Sequence, residues 1–347
     1  MRDRLTLSMR ASHLLALVFV AAALALAAIG AASGDTFYLR LGTEALIFAG
    51  LALSVDLLLG YSGALSLGQA LYFGIGAYVS ALTLLKVPSF WLAMAAAGGA
   101  TLVASIFGGL IANRVRGVYF ALITFGLAQV VAKVVYNTRE LGASDGMIGI
   151  PVIDIGFGPV SVSAGNPVGF FLIVLAIIMG LYGLTAYLLD TPFGRVLTAL
   201  KANEKRVPFL GYSVWRARMF SYVLAGLIAG LSGALYPMLR GFVSPELMFF
   251  ATSGNAVISV ILGGVGTLIG AIYGSVLLVL LKSIIGSWTE HHLIVIGLIF
   301  MVCVMFLPKG LVGFIRPRIE ERLLTGAKEP AAPSFAPARL EAGSAKP

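Results

Sequence analysis

The sequence predicts an all-α integral membrane protein, a polytopic helical bundle of about ten transmembrane helices with N- and C-termini cytoplasmic. Three observations predict it. Of the 347 residues, 59% are hydrophobic and 11% charged, where a soluble domain carries about 25% charged residues. Too little polar side chain is present to cover a water-facing surface, so lipid must be the solvent for most of the chain. The apolar residues also fall in runs long enough to cross a bilayer. Finally, the basic residues between those runs are distributed unequally.

About 20 apolar residues are needed to cross the hydrocarbon as a helix. On that ruler the candidate spans are 13–32, 44–59, 66–85, 90–112, 117–136, 167–189, 219–239, 251–264, 267–284 and 293–307. The second, eighth and tenth are short, which suits re-entrant or tilted segments. Arg2, Arg4 and Arg10 ahead of Leu14–Ala32 resemble a signal peptide. The run is long enough to span, however, and further spans follow, so an uncleaved first helix is expected. With the N-terminus inside, 24 basic residues sort to the inner segments except Arg40, Lys86, Lys133, Arg139, Arg240 and Lys282. That is a positive-inside pattern, and it needs an even number of spans.

The net charge of +9 does not point to nucleic acid, because the charges lie in gaps between apolar runs and orient the chain instead. Cys303, the single cysteine, sits inside an apolar run and reads as a packing residue. No G-x-x-x-x-G-K-[ST] sequence occurs, so the P-loop route to nucleotide hydrolysis is excluded. H-E-x-x-H, G-x-S-x-G and C-x-x-C are absent too, which removes the usual constellations of a membrane-embedded enzyme. His291 and His292 are neighbours that do not share a helix face, and they read as a solvated turn.

Two connections are too long for turns. The outer segment 138–165 carries Asp145 and Asp154, and the inner segment 190–218 is basic. The latter contains a short amphipathic stretch, Val196–Leu200 followed by Lys201, Asn203, Glu204, Lys205 and Arg206. Such a helix could dock in a groove of a cytoplasmic partner; the bland alternative is a solvated loop that only fixes orientation. After Pro317 the chain is charged, then Ala/Pro-rich, a composition expected to stay disordered.

Glycine marks the helix contacts. Gly266, Gly270 and Gly274 recur every four residues, as do Gly226 and Gly230, a spacing that lets helices approach closely in lipid. The stretch "GYSGALSLGQALYFGIGAYVS" (60–80) holds Gly60, Gly63, Gly68, Gly74 and Gly76, with Ser62, Ser66 and Gln69 between them. So many glycines weaken a helix, which implies either tight packing or an opened backbone beside a cavity. "GGVGTLIGAIYGS" (263–275) is a weaker echo of it, a hint of duplicated architecture. Asp56, just before the first stretch, is the clearest ionisable residue within a span. It reads either as a hydrogen-bonding partner of the turn that follows it or as part of a translocation path.

These segments resemble the branched-chain amino acid ABC permease family. Residues 58–80 are similar to its G-Y-x-G-x-x-S-L-G-Q run and following G-I-G-A-Y, and "RVRGVYFALITFGL" (114–127) to its next inner turn and helix. "LGASDGMIGIP" (141–151) resembles its T-G-G-S-D-G-x-x-G-I-P loop, with Leu141 and Ala143 replacing Thr and Gly. Phe193–Gly211 is similar to its cytoplasmic coupling motif at Gly194-Arg195, Asn203-Glu204 and Gly211. Pro208 stands where that motif has a small helix former, so the coupling helix is expected to kink or end early. "GFVSP" (241–245), "ILGGVGTLIGAIYGS" (261–275) and "LPKGLVG" (307–313) complete the likeness.

The resemblance implies a domain plan. Residues 1–43 would be an N-terminal cytoplasmic end, first helix and outer turn, 44–315 the permease domain, and 316–347 the tail. It implies a non-catalytic importer subunit in a bacterial inner membrane. The chain itself would bind no cofactor, while two cytoplasmic ATPase partners would use ATP and Mg. A second homologous permease and a periplasmic substrate-binding protein would complete the assembly. Gly194, Arg195, Lys201, Asn203, Glu204 and Gly211 would couple to the ATPases. Gly63, Ser66, Gln69, Gly74 and Gly76 would line the path, and Ser144, Asp145 and Gly146 would face the binding protein or cavity mouth. Two alternatives remain at this level: a permease of the same architecture for urea or short amides, and a stand-alone secondary carrier, which the sparse buried charge disfavours.

Overall fold

A computed structural model describes residues 2–34, 36–157, 160–288, 292–306 and 310–314. The chain opens with α1 (Arg2–Ser33) and α2 (Phe37–Asp56), whose last turn widens into a π-helical stretch, Leu57–Ser62. An extended segment leads to α3 (Gln69–Lys86), α4 (Phe90–Ala112) and α5 (Val118–Asn137). The next connection carries three short strands, β1 (Met147–Ile148), β2 (Asp154–Phe157) and β3 (Val160–Ser163). Then come α6 (Pro167–Asp190), α7 (Pro192–Asn203), a 3-10 turn at Glu204–Leu210, α8 (Val214–Ala234), α9 (Tyr236–Arg240) and β4 (Phe242–Val243). A 3-10 turn, Pro245–Met248, precedes α10 (Phe250–Gly263), α11 (Ile269–Trp288) and α12 (His292–Phe306).

Every apolar run of the sequence falls on a helix, but seven helices among the described residues are long and apolar enough to cross a membrane. They are α1, α2, α4, α5, α6, α8 continued through α9, and α11. α3, with 18 residues, α10 with 14 and α12 with 15 fall short in length or apolarity. The second span is not short after all. It starts at Phe37 and runs through Ser62, so the expected boundary after residue 43 cuts a helix. His291 and the tail 316–347 lie outside the described residues, as do Leu307–Lys309 of the last matched motif.

The bundle is built around α2, α3 and α8, whose described spans are the most buried. α3 packs against α4 and α8, and α2 against α6, α8 and α11. α1 joins through one stripe at helical spacing, Leu15, Phe19, Ala23 and Ala27. Its Leu15 carbonyl accepts a hydrogen bond from Tyr273 Oη at 3.1 Å, and Phe19 meets the Tyr273 ring edge-on.

Backbone contact replaces side-chain bulk at the seams. A Cβ on Gly76 of α3 would overlap the Gly230 carbonyl of α8, and one on Gly230 would overlap Thr101 of α4. Gly226 packs in the same way on Ser105. In lipid this close approach carries association, since tails are as apolar as the helices. Polar pairs cross the same seams: Tyr72 Oη donates to Tyr222 Oη at 3.0 Å and Ser80 Oγ to the Ala234 carbonyl at 2.8 Å. The expected three-glycine stack on the penultimate span is two residues long. Gly266 lies before α11, with φ 79°, while Gly270 and Gly274 press on Gly263 and Ser259 of α10.

Candidate functional site: a coupling face and an opposite cavity

At one end of the bundle, α2 unwinds and meets the α7 connection. The π-helical turn is capped by Gly63 in the left-handed region, φ 70°, which only glycine adopts at low cost. Ser66–Gly68 is then non-helical, with Ser66 and Gly68 buried and Leu67 partly so, and hydroxyls satisfy its backbone. The Leu67 N–H donates to Thr124 Oγ1 at 3.2 Å, the Gly68 N–H to Ser66 Oγ at 3.4 Å and the Ala70 N–H to Ser253 Oγ at 3.1 Å. Opened backbone inside a membrane protein survives only with such partners.

Asp56, fully buried, explains why the break is stable. Its Oδ1 accepts from the Gly266 N–H at 2.6 Å and its Oδ2 from the Leu268 N–H at 2.8 Å. The carboxylate therefore serves not the turn that follows it but the second Gly-rich segment, more than 200 residues away. The two segments touch at Gly60, where a Cβ would lie 2.5 Å from Asp56 Oδ1 and 2.6 Å from Gly266 Cα. The echo between residues 60–80 and 263–275 is thus a physical contact.

Lys201 closes the arrangement. From α7 its Nζ donates to the Gly60 carbonyl at 2.6 Å, and its stem lies on Gly63. α7 starts with Pro192 at its first turn, buries Gly194, Val196, Leu197 and Leu200, and turns Arg195 outward. Gly194 sits so close to the Leu189 carbonyl of α6 that a Cβ would overlap it. Asn203 ends the helix, its Oδ1 accepting from the Lys205 N–H at 3.1 Å. The 3-10 turn with Pro208 follows, and Gly211 ends it with φ 79°. The stretch Phe193–Gly211, similar to the coupling motif, is thus α7 plus this turn, and the α-helix ends at Asn203, before Pro208.

Glu204 ties the turn down. It pairs with Arg116 of the α4–α5 connection at 3.2 Å and with Arg218 of α8 at 2.5 Å. Sequence reasoning placed both arginines among the inner basic residues but could not assign them to Glu204. Beyond the clamp, Phe209 and Leu210 are 90% and 66% exposed, and Tyr212 and Trp215 are exposed beside them. An apolar patch amid charge on a connection marks an interaction surface.

The residues expected along a path do not converge on one cavity. Gly63 lines a small pocket beside Arg116 and Arg218. Ser66 and Gln69 are buried, joined by a 3.3 Å hydrogen bond from Gln69 Nε2 to Ser66 Oγ. Gly74 presses on Met248 and Gly76 on Gly230, so both serve packing here.

At the opposite end, β1 pairs antiparallel with β4, Met147 opposite Val243, and β2 pairs with β3. Gly146 fits against the Val243 carbonyl. Ser144 and Asp145 are exposed, with Ser144 Oγ donating to Asp145 Oδ1 at 3.0 Å. Towards this end lies a cavity of about 630 Å³ between α2, α10 and α11, closed on one side by Leu239 and Arg240 of α9. Its wall carries the Glu44–Arg240 pair, 2.5 Å apart, together with Arg40, Lys282 and Asn255.

The fold is a multi-pass helical bundle with seven helices long and apolar enough to cross a membrane, a salt-bridged connection at one end and a cavity carrying charged side chains at the other. Residues 37–304 match the family of branched-chain amino acid transport system permease components, and the chain belongs to that family. It is 28% identical over 302 residues to the high-affinity branched-chain amino acid transport system permease protein LivM of Salmonella typhimurium, covering 81% of this chain and 71% of that one. LivM of Escherichia coli is equally similar, 28% over 301 residues, with 81% and 71% covered. LivH of Escherichia coli is 23% identical over 290 residues, covering 79% of this chain and 93% of that one. No solved structure matches.

Proposed function

We propose that this permease is the transmembrane subunit of a binding-protein-dependent ABC importer for branched-chain amino acids in a bacterial inner membrane. In this reading α7 and the turn after it sit in a groove of a cytoplasmic ATPase. The chain pairs with a second permease of LivH type. Two ATPases hydrolyse Mg-bound ATP to ADP and phosphate, and a periplasmic binding protein delivers cargo at Ser144–Gly146. The termini face the cytoplasm, and the three shorter helices complete the bundle beside the seven spans. Catalysis stays with the ATPases.

The single observation that carries this is the chain of contacts from α7 into the bundle: Lys201 to the Gly60 carbonyl, and Gly60 against Asp56 and Gly266. ATPase closure that moves α7 moves both Gly-rich breaks with it. ATP then biases the inward/outward equilibrium through differential contacts, while Gly63, Ser66, Gln69, Gly74 and Gly76 lie along the translocation path. Arg195 projects from α7 towards the ATPase, and Asn203 and Gly211 fix where the helix stops.

The test is leucine uptake into proteoliposomes holding this chain, its partner permease, the ATPases and the binding protein. Uptake should require every component and ATP. Solute moved down its gradient by this chain alone would replace the importer with a secondary carrier, and ATP-driven uptake of urea but not leucine would redirect the cargo.

A further inference from the structure

The geometry points to the cavity between α2, α10 and α11 as a binding site for a zwitterionic amino acid with a branched apolar side chain. Its carboxylate would go to Lys282 and Asn255, and its ammonium to Glu44. This rests on reading the chain as an amino-acid permease. At about 630 Å³ the cavity falls within the roughly 300–1,000 Å³ of small-molecule sites.

Charge inside a span must be paired or face an aqueous cavity, and the pairing here is incomplete. Glu44 and Arg240 bond through Glu44 Oε2, and Glu44 Oε1 takes no partner among the described residues. Lys282, on α11, makes no hydrogen bond or ion pair among the described residues, although it lies within electrostatic reach of Glu44. The Asn255 side-chain amide likewise has no partner among them. Besides Arg240, paired with Glu44, and the exposed Arg40, the wall therefore offers one carboxylate oxygen, one ammonium and one amide, which complement an α-amino acid headgroup. Leu41, Phe48, Leu278 and Val279 supply the apolar remainder, suited to a leucine or valine side chain and wasted on glycine.

Its place fits delivery. The cavity is at the end opposite α7, bounded by Leu239 and Arg240 just before β4, the strand that pairs with β1, so cargo entering at that end meets it before the seam at Gly60–Gly76.

The experiment measures binding to the assembled transporter in detergent without ATP or binding protein, using radiolabelled leucine. Competitors are leucinamide, which lacks the carboxylate, 4-methylpentanoate, which lacks the ammonium, and glycine. Wild type should prefer leucine at least tenfold over all three. Lys282→Gln and Asn255→Ala should each weaken leucine and abolish its advantage over leucinamide, while Lys282→Arg restores it. Glu44→Gln should abolish the advantage over 4-methylpentanoate. Gel filtration reports whether each variant stays assembled, and Val279→Trp, which fills the cavity, must block leucine if a polar variant fails to assemble.

Leucine binding untouched by Lys282→Gln and by Val279→Trp overturns the site. So does a wild type indifferent to loss of either headgroup charge, or a cavity whose occupant proves to be co-purified anionic phospholipid. Failure of the importer reading looks different, since wild type would then show no ATP-driven uptake of any amino acid.

Discussion

At the residue scale, Asp56 and Lys201 carry the argument, and each predicts a distinct failure. Asp56 satisfies two N–H groups, the buried one of Leu268 and the partly buried one of Gly266, with two oxygens. Asn in its place keeps one acceptor and sets an amide NH₂ against the other N–H. An orphaned buried donor costs about 1–3 kcal/mol, so Asp56→Asn should lower the apparent melting temperature of the detergent-purified chain. Asp56→Ala, which orphans both donors, should lower it further. Equal melting for Asn and Ala would mean that the carboxylate does not hold the 264–268 segment. Lys201→Met keeps the stem against Gly63 and deletes the bond to the Gly60 carbonyl. A hydrogen bond from a charged group contributes about 1.5–3 kcal/mol; if that energy is spent in coupling, ATPase stimulation by leucine-loaded binding protein should fall roughly tenfold. Stimulation unchanged in Lys201→Met would place the coupling path elsewhere.

At the element scale, the connection from α7 to α8 joins a clamp and a patch. Glu204 holds it to Arg116 and Arg218, and the clamp presents Phe209 and Leu210 to the solvent. Buried aromatic anchors dominate interfaces, costing at least about 2 kcal/mol when lost. Phe209→Asp should therefore strip the ATPases from the complex on affinity purification, whereas Phe209→Tyr should retain them. Retention by the Asp variant would make this patch irrelevant to docking.

Elements of this kind were legible in the sequence wherever hydropathy or glycine spacing governs, and illegible wherever a distant partner does. Arg40 delayed the expected start of α2 by seven residues, from Phe37 to Glu44, because a charge reads as a loop. Arg216 and Arg218 likewise pushed the expected start of α8 past Val214. β1 has two residues and a partner at Phe242–Val243, and so short a strand has no pattern of its own. The turn at 57–63 could be suspected from its glycines. Its partner, Gly266 held by Asp56, could not, and neither could the cavity, whose wall is drawn from four helices, α2, α9, α10 and α11.

At the scale of the whole molecule, association in lipid rests on close packing rather than on expulsion of water, and that makes glycine tolerance a map of the fold. Gly76 on α3 meets the Gly230 backbone, and neither chain can retreat, because α3 and α8 are each also packed on α4. Gly183 on α6 has nothing near the position its Cβ would take. Both are helix-interior glycines in apolar segments, so propensity and hydropathy treat their substitutions alike, and a slight helical gain is expected at either. Only packing separates them. Overpacking costs about 1–3 kcal/mol where side chains can shift, and here the obstacle is a carbonyl on a rigid helix, so the cost lies at or above the upper end. Gly76→Val should abolish the monodisperse peak of the purified chain in gel filtration and Gly183→Val should leave it intact. If both variants run as wild type, the α3–α8 seam is looser than drawn, and the path by which motion at α7 would reach the cavity end loses its rigid middle.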